Sequence, residues 1–411
     1  MDKVKELFLS SLKASIRNEK LKEDTGFSDG QWQDFFELAR IHHVLPMVFD
    51  SVRELPELQN RDFVQALKLN IRRSVFMHIQ KTGEFFRLYN DLRSKGITPL
   101  VVKGTVCRSL YPNPDYRISS DEDLLIPSEQ IPHCHRAMLD AGLGTTVADV
   151  KIHDTYEIPY RKTDSSLYIE LHQSLFPPES DAYGDFNSFF EGVFERTASI
   201  KVQDTEILTL SPTDHLFYLL CHAFKHFLHS GFGLRQVCDI ILFAERYSSE
   251  INWELIIGNV RRIKATYFAA AIFSIGRKHL GMDENILPEE LRYAEVDESA
   301  MLMDLLSAGV FGSSSMSRKH SSNITLDAVA AEKHGKAAKN SLLLSLFPAA
   351  EKLESRYPYL KNRHYLVPIA WIQRIVTYGK EVHRQKDNSA SEALKIGSER
   401  VELLRKYKII D

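Results

Sequence analysis

Two aspartates one residue apart, Asp121 and Asp123, stand at the head of the apolar run Leu124-Leu125-Ile126. The run reads as a buried strand, and alternation along a strand sends both aspartates to one face and Glu122 to the other. Two carboxylates on one face can share a divalent cation, and the apolar run behind them places the pair at a sheet end where a ligand has access. Glu170 and His172 share a face in the same way on the stretch Leu167–His172, so Glu170 can supply a third carboxylate. Mg2+, or Mn2+ in its place, takes such oxygen ligands together with substrate phosphates, and cations so held support in-line phosphoryl displacement. Taken alone, each pair also fits a solvated sheet face, because Asp-x-Asp and Glu-x-His are common on strands.

The elements around the acids narrow the choice. Leu100-Val101-Val102 has the β-branched, apolar character of a buried strand, and Lys103-Gly104-Thr105 follows it and opens a short helix ending near Leu110-Tyr111-Pro112. Glycine at such a junction lets backbone N–H groups approach a phosphate closely, and a helix N-terminus favours its charge. Strand, glycine turn, helix, Asp-x-Asp strand and a later acid-bearing strand together resemble the polymerase-β-type nucleotidyltransferase superfamily. The closer similarity is to the uncharacterised nucleotidyltransferase family. It is carried by Lys103-Gly104, Leu110-Tyr111-Pro112, Arg117, Asp121-x-Asp123-Leu124-Leu125 and Glu170-Leu171-His172, in that order, and extends to the Arg356-Tyr357-Pro358 region. Three features depart from the superfamily pattern: Thr105 where Ser or Gly is usual, Glu122 where an apolar residue is usual, and a longer stretch from Gly104 to Asp121.

The resemblance implies a metal-dependent transferase that moves a nucleotidyl group from a nucleoside triphosphate to an acceptor such as a peptide or protein. Asp121, Asp123 and Glu170 would be its metal-binding and catalytic acids, with Lys103, Gly104, Thr105 and Arg117 on the phosphates. Two other readings stay open: a glycosyltransferase that uses a nucleotide-sugar donor, and a nucleotide-binding protein without turnover.

A second set of polar residues lies downstream. Ser211-Pro212-Thr213-Asp214 opens a helix, with Ser at the N-cap and Pro at the first helical position. Leu216, Phe217, Leu219, Leu220, Ala223, Phe224, Phe227 and Leu228 form its apolar side, and the opposite arc carries His215, Tyr218, His222, Lys225, His226 and His229. That arc fits a cationic wall facing nucleotide phosphates, with His222, Lys225 and His226 as contacts. It also fits a set of hydrogen-bonded interface histidines, or a zinc site on His222 and His226 that lacks further ligands at helical offsets. On the next helix Arg235 and Asp239 stand four apart, so Arg235 is the expected partner of the acid. Both positions match the family pattern, which implies a nucleotide-facing role.

Stepping outward, helical spacing runs through Trp32, Phe35, Phe36, Leu38 and Ala39, and again through Phe85, Phe86, Leu88 and Leu92. The expected fold is α+β: a helical region over 1–95, a nucleotidyltransferase-like mixed sheet over 96–205, and a helical region over 206–411. The sheet strands are expected at 121–126, 153–162 and 166–172, with a helix over 128–142. Gly312 to Asn340 reads as a polar loop, and the tail after Gln385 as peripheral. Of 411 residues 44% are hydrophobic and 26% charged, the balance of a globular chain, and the length calls for more than one core. A net charge of -3 supplies no overall basic field for a nucleic-acid backbone. Four scattered cysteines without a CxxC spacing suggest a reducing compartment, and the lack of a signal peptide or long apolar run suggests a cytoplasmic protein with no membrane partner.

Overall fold

The computed structural model describes residues 1–59, 61–147, 151–152, 155–309, 316–333, 353, 357–360, 363–373 and 390–411. It divides into two compact units, Met1–His222 with Leu234–Glu298, and Ala223–Gly233 with Ser299–Asp411.

The first unit opens with α1 (Lys3–Ile16), α2 (Asp29–Ile41), α3 (Leu45–Val52), α4 (Pro56–Gln59) and the long α5 (Asp62–Ser94). These helices start where the chain offers capping groups: Asp2 accepts from the Lys5 amide, and Ser28 and Gln31 form a reciprocal capping box on α2. Their apolar stripes meet in a core of Phe8, Trp32, Phe35 and Val48, with Trp32 and Phe35 edge to face at 5.2 Å.

The chain then alternates strand and helix: β1 (Leu100–Val101), α6 (Gly104–Arg108), β2 (Glu122–Leu125), α7 (Ile131–Asp140), β3 (Leu143–Thr145), β4 (Glu157–Lys162) and β5 (Tyr168–His172). They form a mixed sheet in the order β1-β2-β5-β4-β3, in which only β2 and β5 run parallel. All four residues of β2 are buried, while β4 and β5 alternate between buried and partly open, so the sheet has one closed and one accessible face. Ile158, Tyr160, Ile169 and Leu171 fill the closed face, and His135 of α7 bonds the Tyr160 hydroxyl at 2.6 Å. The strand expected at 153–162 begins at Glu157; residues 153 and 154 lie outside the described residues.

A hairpin of β6 (Thr197–Val202) and β7 (Thr205–Leu210), for which the sequence reading has no strands, leads into α8 (Pro212–His229). Ser211 caps α8 as expected, its Oγ accepting from the Asp214 amide at 3.2 Å. Next come α9 (Leu234–Arg246), α10 (Trp253–Arg262), α11 (Thr266–His279) and α12 (Glu289–Arg292). These helices belong to the sheet-bearing unit, although the sequence reading groups everything after 205 with the C-terminal region. Long-range polar bonds explain the difference. Arg17, which caps the end of α1, pairs with Glu245 of α9 at 2.8 Å and donates to the Leu280 carbonyl at 3.0 Å.

Asp239 of α9 makes the strongest of these ties, and its partner is not the one expected. Arg117 takes its carboxylate in a two-pronged bond, with Nε at 3.0 Å and Nη2 at 2.5 Å, and the Tyr111 hydroxyl donates at 2.7 Å. Arg235 turns instead to the Ile118 carbonyl. An i,i+4 spacing makes a pair available on a helix, but the planar fork of Arg117 satisfies both carboxylate oxygens at once. The segment 111–118 is thereby fastened to α9.

In the second unit are α13 (Ser299–Ala308), α14 (Met316–Lys333) and α15 (Ala390–Lys406). Met316–Lys333 is a helix where the sequence reads as a polar loop; the rest of 312–340 lies outside the described residues. Its buried stripe of Ser321, Ile324, Thr325 and Ala328 is made largely of small residues, which leave little apolar periodicity to see. It packs on α15, where Gly397 admits the Ile324 side chain: a Cβ at 397 would lie 2.5 Å from it. The tail is core and not periphery, with Leu404, Tyr407, Ile409 and Ile410 all buried. Farther along, Leu353, Leu360, Val367 and Ala370 gather a smaller cluster with Tyr357 and Trp371.

Asp239→Ala should strip Arg117 of its counter-charge in a site where only 3% of the arginine is exposed. A cost of about 3–5 kcal/mol is expected from a buried pair broken on one side, read by urea denaturation. A loss under about 1 kcal/mol would mean that water reaches Arg117.

Candidate active site

The parallel pairing of β2 and β5 sets Asp123 directly beside Glu170 and Leu125 beside His172. Strand alternation brings Asp123, Glu170 and His172 to one face, and β4 adds Glu157, which pairs with His172 across the antiparallel side. One ligand atom from each of Asp123, Glu170 and His172 lies within 4.8 Å of the others, a group able to hold a metal ion. Asp121 precedes β2, is partly exposed, and adds its negative charge to the field at Glu170 and Lys103.

Lys103 enters from the end of β1. The Val102 amide bonds the Asp123 carbonyl at 3.2 Å, so the next residue is carried across the tip of β2. Its Nζ stands 3.0 Å from Asp123 Oδ2 and 3.2 Å from His222 Nε2 of α8. Burial opposes the ammonium charge, but Asp123 outweighs it, supported by Tyr218, Asp121 and Glu170, and keeps the lysine protonated well above its usual range. Burial likewise opposes charge on Asp123, yet Lys103 and His172 hold its carboxyl below the usual range. Glu170 has His172 only at 3.9 Å, and Lys103 offsets its surroundings only weakly. Burial first, and then the charges of Asp123, Asp121 and Glu157, push it up to about 8. Two carboxylates side by side with one cation between them settle into one ionised and one reluctant to ionise.

Two atoms of this group are buried without a directed hydrogen bond: Asp123 Oδ2, in ion-pair contact with Lys103, and His172 Nδ1, whose nearest acid is Glu157 at 3.8 Å. Two carboxylates and an imidazole brought this close in a buried setting fit a divalent cation.

Glu122 points the opposite way, as alternation requires, into a fully enclosed polar nest. Its Oε2 accepts from the Thr105 amide at 2.8 Å and the Thr105 hydroxyl at 2.9 Å; its Oε1 accepts from Arg108 at 3.1 Å and Ser119 at 3.3 Å, with Lys81 at 3.8 Å. Arg108 also donates to His78 Nε2 at 2.8 Å and to the Thr82 hydroxyl. Burial, then the charge of Arg108, lowers His78 to about 2, so its ring is neutral and can accept. The expectation that Thr105 offers its amide and hydroxyl to a phosphate therefore meets an internal carboxylate that already takes both. Gly104 serves the same nest. Its φ of +41° disfavours side chains, and a Cβ there would lie 2.0 Å from Glu122 Oε2.

Of the residues expected at the site, the structure gathers Asp121, Asp123, Glu170, Lys103 and His222. Arg117, Arg235 and Asp239 are engaged in the clamp on 111–118. On α8, His215 is a core histidine bonded to Thr209 at 3.0 Å and lowered to about 3 by burial. Lys225 and His226 fall in the second unit. The structure adds His172 and Glu157 to the residues expected at the site, and Lys81, Arg108 and His78 as the nest around Glu122. For His172 the signal was present, since Glu-x-His put it on the acid's face; for the others only the folded contacts reveal it.

The family model described as uncharacterised nucleotidyltransferase matches residues 28–281, more than half of the chain. No curated protein and no solved structure matches it. Among the described residues, no helix is long and apolar enough to cross a membrane.

Two tests follow from the charges. Glu122→Ala should leave Lys81 and Arg108 buried without their counter-charge, at a cost of about 3–5 kcal/mol in denaturant unfolding, with Glu122→Gln losing less because it still accepts hydrogen bonds. A carboxyl raised on folding stabilises the fold only while protonated. The cation-free protein should therefore lose stability as pH climbs from about 4.5 to about 8, and Glu170→Gln should flatten that slope. Unfolding curves across that range in chelator decide it; equal slopes would show that Glu170 ionises normally.

Proposed function

Since the chain belongs to the uncharacterised nucleotidyltransferase family, we propose that it transfers a nucleotidyl group from a nucleoside triphosphate to an acceptor, with Asp121, Asp123 and Glu170 holding a divalent cation, Mg2+ or Mn2+, as cofactor. The observation that carries this reading is the register of β2 against β5, which sets Asp123 beside Glu170 on one face of the sheet.

A bound cation would neutralise donor phosphate oxygens and make the α-phosphorus open to attack. The protein's own groups do the rest. Lys103, fixed between Asp123 and His222, supplies a permanent positive charge where negative charge develops on the phosphates. Glu170, which the bound cation would keep ionised, would take the proton of the acceptor hydroxyl. The acceptor oxygen bonds to the α-phosphorus as the bond to pyrophosphate breaks, and pyrophosphate leaves. Glu122 does not touch the donor; it holds the Gly104–Thr105 turn and hence Lys103 in place. The acceptor is a peptide, protein side chain or small molecule bearing a nucleophile, in a protein that works in the cytoplasm.

Calorimetric titration with nucleoside triphosphates, with and without Mg2+, tests this beside Asp123→Asn. Binding that requires Mg2+ and falls at least about tenfold in the variant is expected, a difference of about 1.4 kcal/mol. Preference for a nucleotide-sugar would point to glycosyl transfer, and nucleotide binding indifferent to both metal and mutation would point to a protein without turnover.

A further inference from the structure

We propose that His172 is itself a ligand of the divalent cation, through Nε2, and that the site on this account favours a first-row transition dication over Mg2+. The inference rests on the metal-dependent reading above and names the coordination it uses.

The geometry is fixed by the strands. His172 lies two residues beyond Glu170 on β5 and opposite Leu125, so its ring shares the face of Asp123 and Glu170. Its Nε2 stands 3.2 Å from Asp123 Oδ1 and 3.9 Å from Glu170 Oε2. The ring is 5% exposed and Asp123 1% exposed, so neither reaches freely into water. Each keeps a buried atom without a directed hydrogen bond, Nδ1 on the histidine and Oδ2 on the aspartate.

The surroundings of the second nitrogen agree. The acid closest to Nδ1 is Glu157 Oε2 at 3.8 Å, brought there by the pairing of Glu157 with His172. Without a cation Nε2 hydrogen-bonds Asp123 Oδ1; a cation taken up there would displace that proton, and Glu157 on the far side would favour the tautomer protonated at Nδ1, the arrangement by which outer carboxylates orient metal-binding imidazoles. Lys103 approaches Asp123 through Oδ2, while His172 faces Oδ1, so the two cationic or cation-seeking partners address different oxygens.

Donor chemistry then sets the selectivity. Mg2+ seeks an octahedron of oxygens and retains water readily, whereas an imidazole nitrogen favours Mn2+ and the later first-row dications. Asp123, Glu170 and His172 make a mixed oxygen and nitrogen set of that second kind.

The full-length protein loaded with Mn2+ is the probe. Pulsed electron paramagnetic resonance should show nitrogen coupling to the bound ion, altered in the expected way when histidine is 15N-labelled. The coupling should vanish in His172→Gln and survive in His222→Gln. Calorimetry should find Mn2+ bound at least about tenfold more tightly than Mg2+, with most of that ratio lost in His172→Gln. Circular dichroism checks the fold of each variant, and His172→Asn replaces His172→Gln if the latter does not fold. Bound Mn2+ without nitrogen coupling, or coupling that persists in both His172 variants, overturns the inference and leaves a carboxylate-only site, with nucleotidyl transfer untouched. Failure of the wild type to bind either ion at Asp123 would instead overturn the metal-dependent reading along with it.

Discussion

A carboxylate removed from water must find compensating charge and hydrogen bonds or lose its ionisation, and Glu122 is the residue on which this constraint falls hardest. With no exposed surface it draws together Lys81 of the long N-terminal helix, Thr105 and Arg108 of the short helix, and Ser119 ahead of its own strand. The contacts are useful because they come from separate parts of the chain. Once satisfied, they fix the glycine turn against β2, and Lys103, the residue before that turn, is delivered to Asp123. A buried polar network stabilises one arrangement only when every member is paired, and here almost all are. The residue that departs from the superfamily pattern is thus the one that organises this version of it.

The two faces of β2 show what satisfaction and its absence each do. Glu122 has more partners than oxygens and is held. Asp123, next in sequence and facing the other way, has a lysine, a histidine and one poorly satisfied oxygen. Glu170 beside it has only the more distant His172, at 3.9 Å, and its proton is held up to about 8. An excess of negative charge in a partly dry setting attracts a cation, while a complete set of partners repels any change. The same strand supplies a fixed point on one side and a receptive site on the other because side chains alternate.

Helices beyond the sheet serve this division. Asp239 grips Arg117 and Tyr111, tying the irregular stretch before β2 to α9, and His215 anchors the start of α8 to the β7 strand through Thr209. A little farther along α8, His222 turns toward Lys103 instead. One helix therefore carries a histidine buried for packing and another that faces chemistry, separated by two turns. Residue type does not distinguish them; depth and neighbours do.

What the sequence determined by itself was whatever depends on short-range periodicity: the strand holding Asp123, with Asp121 just ahead of it, the strand holding Glu170, the cap at Ser211, the long helical stretches and the mixed α and β character. The family was also legible, because its motif is a series of short segments in fixed order. Tertiary structure alone decided who pairs with whom. Arg235 was the local partner for Asp239, but Arg117, 122 positions away in sequence, reaches it with better geometry. Thr105 looked free for phosphate until Glu122 folded beneath it, and Met316–Lys333 looked like a loop because its buried stripe is built of small residues that meet α15 closely. Periodicity is a property of neighbours along the chain, whereas pairing of buried charge is settled by distance in space, and spacing along the sequence does not carry that information.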